Sequence, residues 1–356
     1  MLTRRSLLGG VAAGCLASAA GAAPDEPLRW RAAACGRFYG CAAGSYQLRD
    51  EDFAEVLARE ANILVPEYEL KRDTVEPAPG QFDYSGADAL LAFATAHGMK
   101  MRGHTLVWYA GGPPWLEEKV LNAPDDEILT DYVARLVGRY RGRIQSWDVV
   151  NEAIHPQDGR PDGLRDCLWL KRFGPDYIDL AYRTAKRADP DALLVYNDWG
   201  CEGGEAWNDR FRAATLKFLE GALARKVPVE ALGLQGHLNA FGPGVDQRKL
   251  RTFLDEVRAM GLRILVTEHD VDDSGGPLDI AARDRAVADA SARFLDVVLD
   301  NDATLAVLTW GLTDRYLKAP GGLKAMLSGY SPRKLPLDAE LRRKPMWGAI
   351  ARALSL

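Results

Sequence analysis

The chain has 356 residues, 47% of them hydrophobic and 27% charged, which is enough apolar material for one large domain or two average ones. Its 34 glycines and 19 prolines follow no period, which excludes collagen-like and low-complexity architectures. A formal net charge of −5 with both signs mixed leaves no basic stripe and argues against nucleic acid as a partner.

The first 23 residues stand apart from the rest. Arg4 and Arg5 precede an apolar Ala/Gly/Val stretch that ends at Ala20-Gly21-Ala22, so a charged region, an apolar region and a small-residue exit follow in order. Residues 1–23 are therefore expected to be an export signal peptide of the twin-arginine type, and 24–356 the mature catalytic domain. The apolar run is short of the roughly 20 residues needed to span a bilayer. The mature protein is thus expected in the periplasm or released, with no membrane attachment. Cys35, Cys41, Cys167 and Cys201 remain after cleavage. Export permits disulfides; Cys35–Cys41 and Cys167–Cys201 are the bridges considered, with free buried thiols as the alternative. No C-x-x-C or H-E-x-x-H spacing suggests a metal.

From residue 38 onward, short β-rich apolar runs alternate with amphipathic stretches. The predicted strands are Phe38–Ala42, Asn62–Val65, Lys100–Leu106, Ser146–Asn151, Leu193–Asn197, Ala231–Gln235, Arg263–Glu268 and Leu305–Trp310. The predicted helices are Asp50–Glu60, Ala87–His97, Asp126–Tyr140, Tyr177–Ala188, Trp207–Ala224, Gln247–Met260 and Ala281–Asp300, with exit glycines at Gly98 and Gly261. This alternation points to a single-domain α/β protein, a (β/α)8 TIM barrel. In such barrels catalytic groups sit at the C-terminal strand ends. Here those ends carry Glu67 and Lys71, His104 and Trp108, Asn151 and Glu152, Asn197 to Trp199, Gln235 and His237, Glu268 and Asp270, and Trp310.

Two of these strand-end groups carry the functional reading. Glycoside hydrolysis needs one carboxyl group to protonate the leaving oxygen and another to attack the sugar carbon. Glu152, ending Trp147-Asp148-Val149-Val150-Asn151-Glu152, is the candidate acid/base, and Glu268, in Val266-Thr267-Glu268-His269-Asp270-Val271, the candidate nucleophile. Asn151 suits a sugar 2-hydroxyl. Asp270 and His237 lie on adjacent predicted strands, and a carboxylate–imidazole pair beside Glu268 would orient it and keep it ionised. Trp108, Trp199 and Trp310 offer flat faces for sugar stacking. His155 and His97 have no comparable context and are expected to be bystanders.

Taken together, these segments resemble glycoside hydrolase family 10, the retaining endo-β-1,4-xylanases, in order over nearly the whole mature chain. The matching stretches are Val65–Lys71, Glu76-Pro77 with Gly80-Gln81-Phe82, Arg102–Trp108, Trp147–Glu152, Val195–Asp198, Gly233–Leu238, Val266–Val271 and Thr309–Asp314. The resemblance implies Glu152 as acid/base and Glu268 as nucleophile. It also implies His104, Trp108, Asn151, Gln235, His237 and Trp310 around the reacting sugar, and Glu67 and Lys71 toward the next glycone sugar. It implies no cofactor and an open groove that takes a xylan chain or xylo-oligosaccharide; the protein is expected to act as a monomer.

The chain departs from the family at several rim positions. Tyr68 stands where the family usually has Asn, Tyr109 where it has His, and Gly111 where it has Gln. Leu317 or Lys318 replaces a second rim Trp. Several of these positions serve the second glycone sugar in the family, so altered turnover of undecorated linear xylan is expected. The leading reading is endo-acting cleavage of β-1,4-xylosidic bonds. The alternatives are a related β-glycosidase with changed glycone specificity for glucan, aryl-glycoside or decorated xylan, or a carbohydrate-binding protein without turnover.

Overall fold

In the computed structural model of the chain, residues 25–318 and 330–355 are described; the expected export signal lies outside them. Eight parallel strands form the wall: β1 (Phe38–Ala43), β2 (Ile63–Pro66), β3 (Lys100–Gly103), β4 (Ser146–Asn151), β5 (Leu193–Asp198), β6 (Ala231–Leu234), β7 (Arg263–Asp272) and β8 (Thr304–Thr309). Each pairs with its successor, and β8 closes onto β1 with Phe38 opposite Ala306 and Cys41 opposite Thr309. The result is the closed (β/α)8 barrel expected from the alternation, and closure leaves the wall with no edge strand.

Two short extensions lengthen the rim. Val107–Trp108 pairs with β4, placing Trp108 beside Asn151, and His237–Asn239 pairs with β7, placing His237 beside Asp270. The sequence predicted β3 as one run to Leu106. The chain instead leaves the wall after Gly103 and returns at Val107, where Thr105 Oγ1 donates to the Asp148 carbonyl at 2.9 Å. Strand β7 runs four residues past its predicted end at Glu268, because Asp270 to Asp272 gain the His237–Asn239 extension as a partner.

The seven predicted helices lie within two residues of their expected bounds. Several start where an aspartate accepts from a free backbone N–H, such as Asp50 from Phe53 at 3.2 Å and Asp279 from Ala282 at 2.8 Å. Leu28–Ala34 and Pro345–Ala353 form further helices that periodicity did not mark. They meet at the buried carboxylate of Glu60, which accepts from Leu28 N at 3.1 Å and Trp347 Nε1 at 3.1 Å and pairs with Arg343 at 2.9 Å. Glu60 thus joins the two terminal helices, whose apolar residues Leu28, Ala32, Met346 and Ile350 are buried in the core.

All the cysteines among the described residues are free thiols, so neither Cys35–Cys41 nor Cys167–Cys201 is bridged. Each sulfur has a separate environment. Cys35 Sγ lies 3.0 Å from the Leu354 carbonyl at the barrel base, whereas Cys41 is buried in β1. Cys201 Sγ lies 3.6 Å from Thr215 Oγ1, and Cys167 bonds to the Tyr177 hydroxyl.

The barrel interior changes character with height. Ala42, Ile63, Val65, Val195, Ala231, Leu265, Ala306 and Leu308 form an apolar filling. A polar layer accompanies it, in which fully buried Arg102 pairs with Asp148 and donates from Nε to Ser146 Oγ at 3.0 Å. The other oxygen of Asp148 lies 3.0 Å from His104 Nδ1. Removing one member of a buried ion pair strands the other charge. Asp148→Ala should therefore lower the unfolding free energy in urea by about 3–5 kcal/mol. A loss below about 1 kcal/mol would show that the pair behaves as a surface pair and does not hold the interior.

Candidate active site

A ladder of backbone bonds fixes the rim before any side chain acts. Glu152 N donates to Asn197 O at 2.9 Å, Gln235 N to Asp198 O at 3.0 Å, Glu268 N to Gln235 O at 3.0 Å, and Trp310 N to His269 O at 3.0 Å. Strand ends β4 to β8 are thereby tied edge to edge, and several of the predicted site residues line one cavity, with Glu268 and Asn151 set behind its surface. Glu152, Gln235, His237, Asp270, Trp108 and Trp310 line this space of about 750 Å³. It continues past Trp199 to Trp207, Asn208 and Asn239.

Glu152 turns at the end of β4 with φ of 58°, a left-handed backbone that a residue with a Cβ adopts only under constraint. The constraint is visible on every side. Arg165 Nε donates to the Glu152 carbonyl at 2.7 Å, and Ile154 N donates to Tyr196 Oη at 3.0 Å and to Asp198 Oδ2 at 3.2 Å. Asn151 Nδ2 at 3.0 Å and Gln235 Nε2 at 2.9 Å both donate to Glu152 Oε1. Asp198 itself is fully buried. Burial, together with the Glu152 charge, pushes its carboxyl up to about 8 despite the bond from the Tyr196 hydroxyl.

The two predicted carboxylates meet through amides. Asn197 Nδ2 donates to Asn151 Oδ1 at 2.8 Å and to Glu268 Oε1 at 2.8 Å, while Asn151 reaches Glu152. Asn197 is aligned in turn by Thr267 Oγ1, 2.6 Å from its Oδ1. Gly233 leaves the room for this: a Cβ there would stand 2.4 Å from Asn197 Oδ1. Sequence reasoning placed Asn197 on the rim without giving it a task. The signal was its position, one strand over from Asn151 at the same height.

Glu268 has a different electrostatic setting. Burial alone would raise its carboxyl, but the His237 hydrogen bond and the nearby His104 and His237 rings hold it below the usual range. His237 places Nε2 3.4 Å from Glu268 Oε2 and Nδ1 2.9 Å from Asp270 Oδ1. Burial would lower this imidazole, yet Asp270 and Glu268 raise it to about 10, so it is a cation at neutral pH. Against its own burial, Asp270 is drawn down to about 2 by His237 and then by Lys334. The carboxylate–imidazole pair expected beside Glu268 is present. Lys334, which also reaches Asp270, was not foreseen, because it arrives from a segment far along the chain.

On the opposite side of the centre, Lys71 Nζ sits 5.3 Å from the Tyr68 ring, 5.2 Å from Trp108 and 5.6 Å from Trp310, a cage of three aromatic faces. Burial raises the Glu67 carboxyl even though the Tyr68 hydroxyl donates to it. Tyr109 lies under the Arg165 guanidinium at 4.1 Å. Gly111 has φ of 63°, and a Cβ there would come within 2.9 Å of the Trp108 ring, so a side chain at this position would require the turn to be rebuilt. Lys318 is exposed and borders residues that are not described. Trp199 packs on Phe211 and Trp207 at ring distances of 5.1 and 6.1 Å while edging the cavity. His155 pairs with Asp158 at 2.8 Å, apart from the carboxylates. No group of acids, histidines and cysteines among the described residues could hold a metal ion.

The sign of the pH dependence follows from these shifts. The raised His237 stabilises the fold fully below its unfolded value near 6.5 and loses that contribution as pH rises through about 10. The lowered Asp270 contributes above an unfolded value of about 3.9 and loses it as pH falls toward about 2. The stability difference between the parent and His237→Phe, measured by urea unfolding, should peak between about pH 4 and 6.5. It should close as pH approaches 10; a difference that grows with alkaline pH would refute a cationic His237.

Residues 28–353 match the family described as Glycosyl hydrolase family 10. The chain is 34% identical to endo-1,4-beta-xylanase B of Thermotoga neapolitana over 92% of this chain and 91% of that protein. Among solved structures, xylanase 10B from Thermotoga petrophila in complex with xylobiose superposes with a TM-score of 0.81 at 32% identity, covering 94% of this chain and 98% of that one. Native xylanase 10B from Thermotoga maritima gives 0.80 at 33% identity over 92% and 98%. With the barrel, the rim and the match spanning the described domain in agreement, the chain belongs to glycoside hydrolase family 10.

Proposed function

We propose that the protein is an endo-1,4-β-xylanase that cleaves xylan-type chains and xylo-oligosaccharides with retention. The observation that supports this most directly is the linkage of Glu152 and Glu268 through the Asn151 and Asn197 amides on one rim. Glu268, held ionised by His237, attacks the anomeric carbon while Glu152 gives a proton to the leaving oxygen. A glycosyl-enzyme forms, and Glu152 then takes a proton from the water that hydrolyses it. This sequence needs the carboxyl groups about 5–5.5 Å apart.

The remaining groups divide by position. Asn151 meets the sugar 2-hydroxyl, and Gln235, His104, Trp108 and Trp310 surround the reacting ring. Glu67 and Lys71 take the next sugar on the glycone side. The cavity toward Trp199 and Trp207 receives the aglycone. Asp270 acts through His237 and touches no sugar. The relatives' activity favours xylanase over glucanase or aryl-glycosidase readings, and retention of both carboxylates speaks against a silent binding protein.

Glu152→Gln and Glu268→Gln should each reduce turnover of xylotetraose by a factor of at least about 10². Proton NMR of the parent reaction should show the β-anomer first; an α-anomer appearing first would sink the retaining reading. Tyr68→Phe frees the Glu67 carboxylate for a sugar hydroxyl. Because one hydrogen bond is worth about 0.5–1.5 kcal/mol, KM for linear xylotriose should fall by roughly 2- to 10-fold. An unchanged or higher KM would show that the Tyr68 hydroxyl does not compete with substrate.

The protein is also proposed to leave the cytoplasm by the twin-arginine route and to work as a monomer in the periplasm or outside. The basis for export is the Arg4-Arg5 start and the Ala20-Gly21-Ala22 exit. No helix among the described residues is long and apolar enough to cross a membrane. N-terminal sequencing of the exported protein should begin at or next to Pro24, and replacing both arginines with lysine should leave unprocessed protein in the cytoplasm. Export of that double variant at the parent level would refute the route.

A further inference from the structure

Lys334 is a charged group at the site that the reaction just described does not use. It reaches the groove from the segment after β8. Its ammonium pairs with Asp270 Oδ2, the oxygen not engaged by His237, and its side chain lines the cavity. The backbone around it is fastened on both sides. Ser331 O accepts from Arg283 Nη1 at 2.9 Å, Arg333 N donates to Asp273 at 3.1 Å, and its guanidinium grips Asp284 at 2.8 and 2.7 Å. Leu335 N donates to Asp314 Oδ1 at 3.0 Å, Lys344 Nζ reaches the Arg333 carbonyl at 2.7 Å, and Val271 N donates to the Lys334 carbonyl at 3.3 Å. A flexible side chain on so firmly held a backbone is presented to Asp270 rather than drifting past it.

The charge arrangement gives this contact a consequence. Asp270 and Glu268 are like charges two residues apart on β7, with His237 between them. Lys334 cancels the Asp270 charge from the far side. Four groups, Glu268, His237, Asp270 and Lys334, then sum to zero. Without Lys334 they sum to −1, and an extra negative charge beside Glu268 favours its neutral form. The other titratable groups facing this cluster are His104 after β3, Glu152 after β4, the buried Glu202 after β5, which feels the His237 charge, and His269 on β7. Glu67, after β2, also feels the Lys334 charge.

We propose that Lys334 is a positioning residue for the second chemical step, holding the His237–Asp270 pair against Glu268 and making the Glu268 carboxylate a better leaving group. In that step a water oxygen bonds to the anomeric carbon as the carbon–oxygen bond to Glu268 breaks. The electron pair returns to the carboxylate and the water proton goes to Glu152. This inference rests on the retaining reading given above.

The test uses the full mature enzyme and 4-nitrophenyl β-xylobioside, whose good leaving group makes hydrolysis of the glycosyl-enzyme limit turnover. In Lys334→Met, kcat should fall about tenfold, because a more basic carboxylate leaves less readily, and KM should fall with it. The kcat/KM ratio at neutral pH should stay within about twofold, and the acid limb of its pH profile should move to higher pH. A burst of 4-nitrophenol should appear, with a mass increment on the peptide carrying Glu268. Lys334→Arg should restore most of kcat. Parent-like kcat in Lys334→Met overturns the inference. So does a fall in kcat/KM with unchanged KM, lowered thermal stability and an unmoved acid limb, because those mark a structural role. A parent enzyme that forms no glycosyl-enzyme on Glu268 at all overturns the retaining reading and this inference together, whereas a labelled parent with an unaffected variant removes only the role of Lys334.

Discussion

Two buried carboxyl groups share one rim, and the site is organised around holding both in place without neutralising either. Among the described residues neither Glu152 nor Glu268 has a direct lysine or arginine partner; each is held by hydrogen bonds from neutral amides and, for Glu268, by a charged imidazole. Amides stabilise charge without neutralising it, so both groups remain available to chemistry. A guanidinium at either position would make the pair more stable and, for an acid or a nucleophile, less useful. Arg102 lies deeper and reaches the site through Asp148 and His104. Firm ion pairs thus flank the two carboxylates, Arg102 with Asp148 below them and Lys334 with Asp270 beside them, and neither cation touches Glu152 or Glu268 directly.

The different surroundings of the two carboxylates separate their proposed roles. Glu268 is faced by His104 and His237 and kept below the usual carboxylate range, which suits a nucleophile that must be ionised when substrate arrives. Glu152 has Asn151 and Gln235 as its amide donors, and Asp198 as a buried neighbour whose own carboxyl is pushed up to about 8. Its backbone is strained, and the strain is maintained by Arg165, Asp198 and the β5 carbonyl together. That over-determination keeps the proton donor at one height above the groove. Tertiary structure therefore contributes to catalysis by restraint as much as by placing reactive groups.

The glycone side is where this chain differs from what its family resemblance implied. Tyr68 ties down Glu67, caps Lys71 with a ring face and remains half exposed, while Gly111 is pressed against Trp108 in a left-handed turn. Together they alter the groups that the second sugar would meet without reaching the carboxylate pair. Barrels tolerate such changes because rim loops are independent of the wall.

The order of strands and helices, the closed barrel and the rim position of Glu152 and Glu268 were legible in the sequence, because apolar periodicity and strand-end polarity are local signals. His237 beside Asp270 was legible too, since adjacent strands had to place them together. Tertiary structure alone decided the rest. Asn197 became the bridge between the carboxylates because Gly233 left space for its amide, and Lys334 became a partner of Asp270 because Asp273, Asp284 and Asp314 fix a distant segment. Glu60 joined the terminal helices, and the cysteines stayed unpaired, with Cys35 and Cys201 bonded to different partners. Contacts of this kind depend on which side chains fill a shared volume after the chain has closed, and no periodicity along the chain encodes that.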